Sequence, residues 1–290
     1  MEIIVTGANG QLGQEFRELG VRYPDYRFTF IDMADLDLTD ERRSVSYFER
    51  TPFQVIINCA AYTAVDKAEK ESMAALEMNA TVPGRLARLA AAKGALIIHF
   101  STDYVFNGLK KHPYTEEDPT QPISIYGATK NQGEQEIRKQ AKKGIIIRTS
   151  WLFSPFGNNF VRTILAKAKE GNPLRVVCDQ AGTPTYARDL AAMVLDLLPS
   201  FLKKENVETY HYSNEGETNW YHFAKKIIRY SGIRCKVSSI YTGDYPTAAI
   251  RPPYAVLSKD KIRKEFGIGI PHWKDSLEDC IARLRMKGDL

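Results

Sequence analysis

Tyr126 and Lys130 stand four residues apart in the stretch Tyr126-Gly127-Ala128-Thr129-Lys130, so on a helix their side chains share one face. A free phenol has a pKa of about 10, and an ammonium beside it stabilises the phenolate and lowers that value. A tyrosine tuned in this way can pass a proton to or from a sugar oxygen near neutral pH. Just upstream, Ser101-Thr102-Asp103 brings the Thr102 hydroxyl, which can bond the same oxygen and hold it in line. Tyr-x-x-x-Lys also arises by chance at the start of ordinary amphipathic helices. The elements that must place these groups together decide between the two.

Residues 3–6 read as a short buried strand that runs into Gly7-Ala8-Asn9-Gly10-Gln11-Leu12-Gly13, and residues 11–19 can form a helix. Strand, glycine turn and helix in that order is the context in which such glycines mean dinucleotide binding. Gly7 permits the tight turn, Gly10 lets backbone N–H groups approach a pyrophosphate, and Gly13 allows close helix–strand packing. The spacing is Gly-x-x-Gly-x-x-Gly, one residue wider at the start than the usual Gly-x-Gly-x-x-Gly. A second strand over residues 27–31 ends on Asp32. A carboxylate roughly 20 residues after the glycines can bond the adenosine ribose and favours NAD over NADP. An acid there serves equally as a plain turn residue. Residues 35–40 read as a loop closing on Thr39 or Asp40 as helix N-cap.

Residues 54–58 form a third buried strand, followed by the small residues Cys59-Ala60-Ala61 and then Tyr62-Thr63, where a flat cofactor could lie close to backbone. Residues 65–92 are expected to be helical with one interruption at Pro83, and residues 95–100 to be a fourth strand ending in Ser101-Thr102-Asp103. The carboxyl ends of strands are where an open α/β sheet places functional groups. A loop over residues 104–122 can cover the site, the Tyr126 helix follows, and residues 144–149 make a fifth strand. The alternation implies a parallel sheet covered by helices. After Ser150 it breaks: helices are expected to about 170, over 189–198, 219–230 and 273–285, with a strand at 209–212. The polar turn at residues 179–185 has the character of a binding loop, and residues 245–254 carry three prolines around Arg251.

At 290 residues the chain can bury a large core, and its 43% apolar and 26% charged residues are ordinary for a soluble globular protein. A net charge of +5 is too small and dispersed to argue for nucleic acid. Cys59, Cys178, Cys235 and Cys280 form no Cys-x-x-Cys, so no metal site and no disulfide framework is expected. With no basic-then-apolar leader and no long apolar run, the expectation is a cytoplasmic protein without a membrane partner.

The glycines Gly7, Gly10 and Gly13 with Thr102, Tyr126 and Lys130 resemble the extended short-chain dehydrogenase/reductase family. More narrowly, the chain resembles the dTDP-4-dehydrorhamnose reductases over nearly its whole length. The residues that carry this are Gly10-Gln11-Leu12-Gly13, Ala60 to Glu69, Ser101-Thr102-Asp103-Tyr104-Val105-Phe106, Tyr126 to Lys130, Arg148-Thr149-Ser150-Trp151, Gly157-Asn158-Asn159-Phe160, Asp179-Gln180 with Pro184-Thr185, and Arg251-Pro252. The resemblance implies a Rossmann-type doubly wound parallel sheet with a smaller C-terminal substrate-binding α/β domain. Residues 1–152 would bind the dinucleotide, with a return at about 187–214, and residues 153–290 would mainly hold a dTDP-sugar. It implies NADPH or NADH as cofactor, with Gln11 and Leu12 at the pyrophosphate, Asp32 at the ribose and Asp37-Leu38 near the adenine. Ala61, Tyr62 and Thr63 would line the nicotinamide side.

By the same resemblance Thr102, Tyr126 and Lys130 form the catalytic set, and Asp103, Trp151, Asn159, Gln180 and Arg251 join Thr102 and Tyr126 around the substrate. Trp151 reads otherwise as a core aromatic at a domain junction, and Arg251 as a solvated loop residue. A related dehydratase or epimerase is a rival, although a dehydratase carries Thr-Asp-Glu where this chain has Thr102-Asp103-Tyr104. A non-catalytic subunit like the regulatory beta subunit of methionine adenosyltransferase is the rival from another class. Some relatives are described as dimers bridged by Mg²⁺. Glu15 matches one acidic position of that bridge, but Tyr186 to Asp189 and Arg285 to Lys287 are poor in acids. No metal is therefore expected, and the chain is expected to be a monomer or a homodimer.

Overall fold

Strands buried along nearly their whole length, alternating with helices, set the architecture of the first half. A computed structural model describes all 290 residues, Met1–Leu290. It opens with β1 (Glu2–Thr6), α1 (Gln11–Gly20), β2 (Arg27–Ile31), α2 (Glu41–Arg50) and β3 (Val55–Asn58). The short helices α3 (Val65–Ala68) and α4 (Ser72–Leu76) follow, then α5 (Val82–Ala92), β4 (Leu96–Thr102), α6 (Ile125–Gln140) and β5 (Gly144–Thr149). On one sheet face Ile3, Val5, Ile57, Ile98 and Ile147 pack against α1; on the other Ile4, Ile56, Ile97 and Ile146 pack with Phe48 and Leu86 of α2 and α5. Strands buried on both faces are the expected consequence of a parallel sheet with helices on each side. Asp40 caps α2 by accepting from Arg43 N at 3.0 Å.

The interruption expected at Pro83 lies elsewhere. The break falls between α3 and α4, and residues Glu77–Thr81 form a π-helical turn that runs into α5. Pro83 sits in the first turn of α5, where a missing N–H is tolerated. The wider turn directs Asn79 inward. Its amide bonds Tyr62 N at 2.9 Å, Tyr62 O at 3.1 Å and Thr129 Oγ1 at 3.2 Å.

The second half contributes β6 (Leu152–Phe153), α7 (Phe160–Lys169), β7 (Leu174–Val177), β8 (Ala181–Gly182), β9 (Thr185–Tyr186), α8 (Ala187–Phe201) and β10 (Val207–His211). It ends with β11 (Thr218–Asn219), α9 (Trp220–Ser231), β12 (Val237–Ile240), α10 (Asp260–Phe266) and α11 (Trp273–Met286). The main sheet has the order β10-β5-β4-β3-β1-β2, with every pair parallel. β10 thus returns to the sheet and α8 packs on its face beside α1, burying Leu190, Val194 and Leu198. A separate apolar cluster joins Phe153, Ile164, Phe223, Trp273 and Leu277. The direction of winding reverses between β1 and β3, which opens a crevice at their carboxyl ends.

Candidate active site

A cleft of about 660 Å³ opens at that crevice, a volume suited to a bound organic molecule. Gly7, Gly10, Gln11 and Leu12 form one wall, Asp32, Asp37 and Leu38 the next, and Ala61 and Thr63 a third. Thr102, Asp103, Tyr126 and Lys130 line it as well, and Trp151, Asn159 and Trp220 border it from the second half. Gly7 adopts φ +63°, and a Cβ on Gly13 would meet Gly7 O at 2.4 Å, so the turn closes only with these glycines. The N-terminus of α1 therefore faces the cleft with free backbone N–H groups, the usual cradle for a pyrophosphate. Gln11 Oε1 is buried there without a partner, and the Asp32 carboxylate accepts from Asn9 N at 2.7 Å at the end of β2. These residues fit a dinucleotide.

Helix α6 starts where Ser124 caps it, with Oγ accepting from Gly127 N at 3.2 Å, and this sets Tyr126 in the first turn beside the end of β4. Tyr126 meets Tyr104 edge-on at 5.5 Å between ring centroids. Thr102 Oγ1 donates to Asp103 Oδ1 at 2.9 Å and accepts from Tyr104 N at 3.2 Å, while Asp103 Oδ2 has no partner. Burial pushes the Tyr126 phenol up to about 12; the Thr102 hydroxyl pulls the other way and the Asp103 charge adds to the rise. Burial likewise raises Asp103 to about 7 and lowers Lys130 to about 8, the latter opposed by Glu134. The phenol pKa is thus not lowered by Lys130. The ammonium instead donates to Phe100 O at 2.6 Å and lies 3.2 Å from His99 Nε2.

Gly13, Tyr62, Gln180 and Arg251 do not border the cleft. Gly13 serves packing, and Tyr62 turns its hydroxyl to Glu71 at 2.5 Å. Gln180 bridges Thr242 Oγ1 at 3.0 Å and Trp220 Nε1 at 3.1 Å, so it buttresses a wall from behind. Arg251 is paired with Asp66 at 2.7 and 3.2 Å, which ties the proline-rich segment to α3. Asn159 reaches the cleft, but its side chain caps α7 and holds Ser154 O at 2.8 Å. Trp151 stacks on Trp220 with centroids 3.6 Å apart and planes 11° off parallel. It takes φ +46°, uncommon for so large a residue.

Several contributors carry no motif. His99 and Asn58 lie beneath Lys130, and Glu134 is held by Arg148 at 2.9 and 2.7 Å and by Ser101 at 2.6 Å. Trp220 and Asn79 belong with them. A polar residue inside an apolar strand, as at His99, is the one sequence signal that could have marked any of these.

The family model described as the RmlD substrate binding domain matches residues 1–286. A dTDP-4-dehydrorhamnose reductase of Aggregatibacter actinomycetemcomitans is 38% identical over 97% of this chain and 98% of its own. The crystal structure of a dTDP-4-dehydrorhamnose reductase from Clostridium acetobutylicum is 40% identical, with a TM-score of 0.94 over 99% of this chain and 100% of that one. That of a Bacillus anthracis dTDP-4-dehydrorhamnose reductase in complex with NADP is 38% identical, with a TM-score of 0.92 over 97% of this chain and 99% of that one. With its glycine turn, its Thr102, Tyr126 and Lys130 and its full-length match to these proteins, the chain belongs to the RmlD family of dTDP-4-dehydrorhamnose reductases.

Proposed function

We propose that the protein reduces the C4 keto group of dTDP-4-dehydro-β-L-rhamnose to dTDP-L-rhamnose with NADPH or NADH. The observation that carries this reading is the convergence of Thr102, Tyr126 and Lys130 in one cleft with the α1 glycine turn. When bound, the dinucleotide supplies the hydride for the ketone carbon. Tyr126, with its phenol held at about 12, is protonated at neutral pH, the form required to donate a proton to the developing alkoxide. The Thr102 hydroxyl, on turning its hydrogen from Asp103 Oδ1, would hold that oxygen in line. Lys130, at about 8, is mainly charged at neutral pH, and an ammonium offers three donors, so one remains for the cleft beyond Phe100 O and His99.

Asp103 and Trp151 would contact the sugar, with Asn159, Gln180 and Arg251 shaping that end through their neighbours. Residues 1–152, with the return at about 187–214, would serve the dinucleotide and the rest of 153–290 the dTDP-sugar. The proposed setting is cytoplasmic and the proposed state a monomer or homodimer without a nucleic-acid partner. No helix is long and apolar enough to cross a membrane.

The test couples an upstream dehydratase and 3,5-epimerase to this protein and follows absorbance of the reduced cofactor. Oxidation that depends on the dTDP-sugar is expected, and the free keto-sugar should be poor in rate as well as affinity, because binding of the remote nucleotide orients C4. No oxidation by folded protein would favour a non-catalytic subunit. Formation of a 4-dehydro-6-deoxy sugar from dTDP-glucose would favour a dehydratase.

A further inference from the structure

Behind Lys130 runs a line of buried polar groups that the reduction as described leaves unused. Lys130, 2% exposed, stands 3.2 Å from His99 Nε2 of β4. His99 Nδ1 is 3.0 Å from Asn58 Nδ2 of β3, and Asn58 Oδ1 accepts from Thr6 Oγ1 of β1 at 2.6 Å. All three lie within the sheet and are almost wholly buried, with Asn58 bordering the cleft. Such a run is stabilising only if every member is matched in donor and acceptor.

Hydrogen-bond arithmetic restricts it to two arrangements. Burial, and then the Lys130 charge, hold His99 well below the usual histidine range, so its ring is neutral and carries one N–H. When Asn58 Nδ2 donates to Nδ1, the ring hydrogen is on Nε2 and points at Lys130 Nζ. An amine can accept it, but an ammonium has no lone pair. When the hydrogen is on Nδ1, Nε2 accepts from the ammonium, Asn58 turns its amide to present Oδ1, and the Thr6 hydroxyl, which already accepts from Ala60 N at 3.4 Å, accepts from Asn58 Nδ2 as well. One polarity matches charged Lys130 and the other neutral Lys130.

We propose that His99 is a positioning residue for the ketone reduction, fixing Lys130 Nζ and setting, through its ring tautomer, the pH at which Lys130 loses its charge. This rests on the reading of the site given above. Of the other titratable groups lining this part of the cleft, Asp103 titrates at about 7, below Lys130 at about 8. Glu134, one turn further along α6, is locked by Arg148 of β5 and Ser101 of β4. Burial holds the Cys59 thiol, after β3, well up and therefore neutral, and Tyr126 stays protonated to about 12. The proton released by Lys130 leaves through the cleft, since an amide cannot carry it past Asn58.

The first test is the pH profile of kcat/KM, which reports the free protein, for the protein, His99→Gln and His99→Leu, with thermal unfolding measured alongside. A Gln carbonyl can replace the Nε2 acceptor and Leu cannot. The alkaline limb should fall in the Leu variant by about one pH unit, the difference between a lost hydrogen bond to the ammonium and a lost one to the amine, and should be largely restored in the Gln variant. An alkaline limb that is the same in all three proteins overturns the proposal, whatever happens to kcat or stability. The second test uses the unsubstituted protein labelled with ¹⁵N-histidine, with the His99 ring signals assigned by their loss in His99→Gln. The ring should pass from the Nδ1–H to the Nε2–H tautomer as pH rises, with its midpoint at the same alkaline limb. A single tautomer across that range overturns the proposal. This readout needs no substrate, so absent turnover would reject the reductase reading while the tautomer still decides the role of His99 at Lys130.

Discussion

Glu15 on α1 and Arg283 on α11 are 268 residues apart in sequence and meet at 2.9 Å in the interior. The same carboxylate accepts from Ser154 Oγ at 2.8 Å and from Arg188 Nη1 at 3.3 Å, so both of its oxygens are engaged by the protein. Removing one member of a buried ion pair leaves the other charge uncompensated, at a cost of about 3–5 kcal/mol. Glu15→Ala is therefore expected to lower unfolding free energy by roughly 3 kcal/mol, since Arg283 keeps Glu18 as partner. Urea titration would measure it. Activity should also survive EDTA, and a loss restored only by Mg²⁺ would show that the protein needs a metal.

Tyr126→Phe removes the proposed proton donor and leaves the ring that packs on Tyr104. General acid catalysis is worth roughly 10²–10⁴-fold, and kcat should fall within that range. Cofactor affinity, read by fluorescence quenching, should change little. Near-normal turnover would sink the assignment of Tyr126.

Asp103 is almost wholly buried and holds its proton to about pH 7, whereas an unfolded aspartate ionises at about 4. Between these values the folded state binds more protons, so this group contributes stability at low pH that is lost as pH rises through about 7. Asp103→Asn, which cannot ionise, should match the parent near pH 4 and become the more stable protein as pH rises, levelling off above about 7. Chemical denaturation at several pH values would test it; a constant difference would place the ionised carboxylate in contact with water.

Asp32 closes the cleft wall at the end of β2, bonded to Asn9 N. Asp32→Ala should shift preference toward NADPH, because the proposed ribose hydrogen bond would be lost and repulsion of a 2′-phosphate relieved. The ratio of kcat/KM for the two cofactors measures the shift. An unchanged ratio would place Asp32 away from the adenosine ribose.

Local rules determined much of this protein from the sequence. Buried strands show as apolar runs, Asp40 caps a helix because its carboxylate reaches the first turn, and Tyr126 and Lys130 share a face because a helix repeats every 3.6 residues. The glycine turn followed from the same local geometry, since only residues without a Cβ allow its closure. Tertiary packing decided where side chains from distant elements meet. It gave Arg251 to Asp66, stacked Trp220 on Trp151, turned Asn79 inward through a π turn and set His99 beneath Lys130. No spacing encodes such pairs, because each depends on the relative placement of two elements, and that placement is fixed only when the whole core closes.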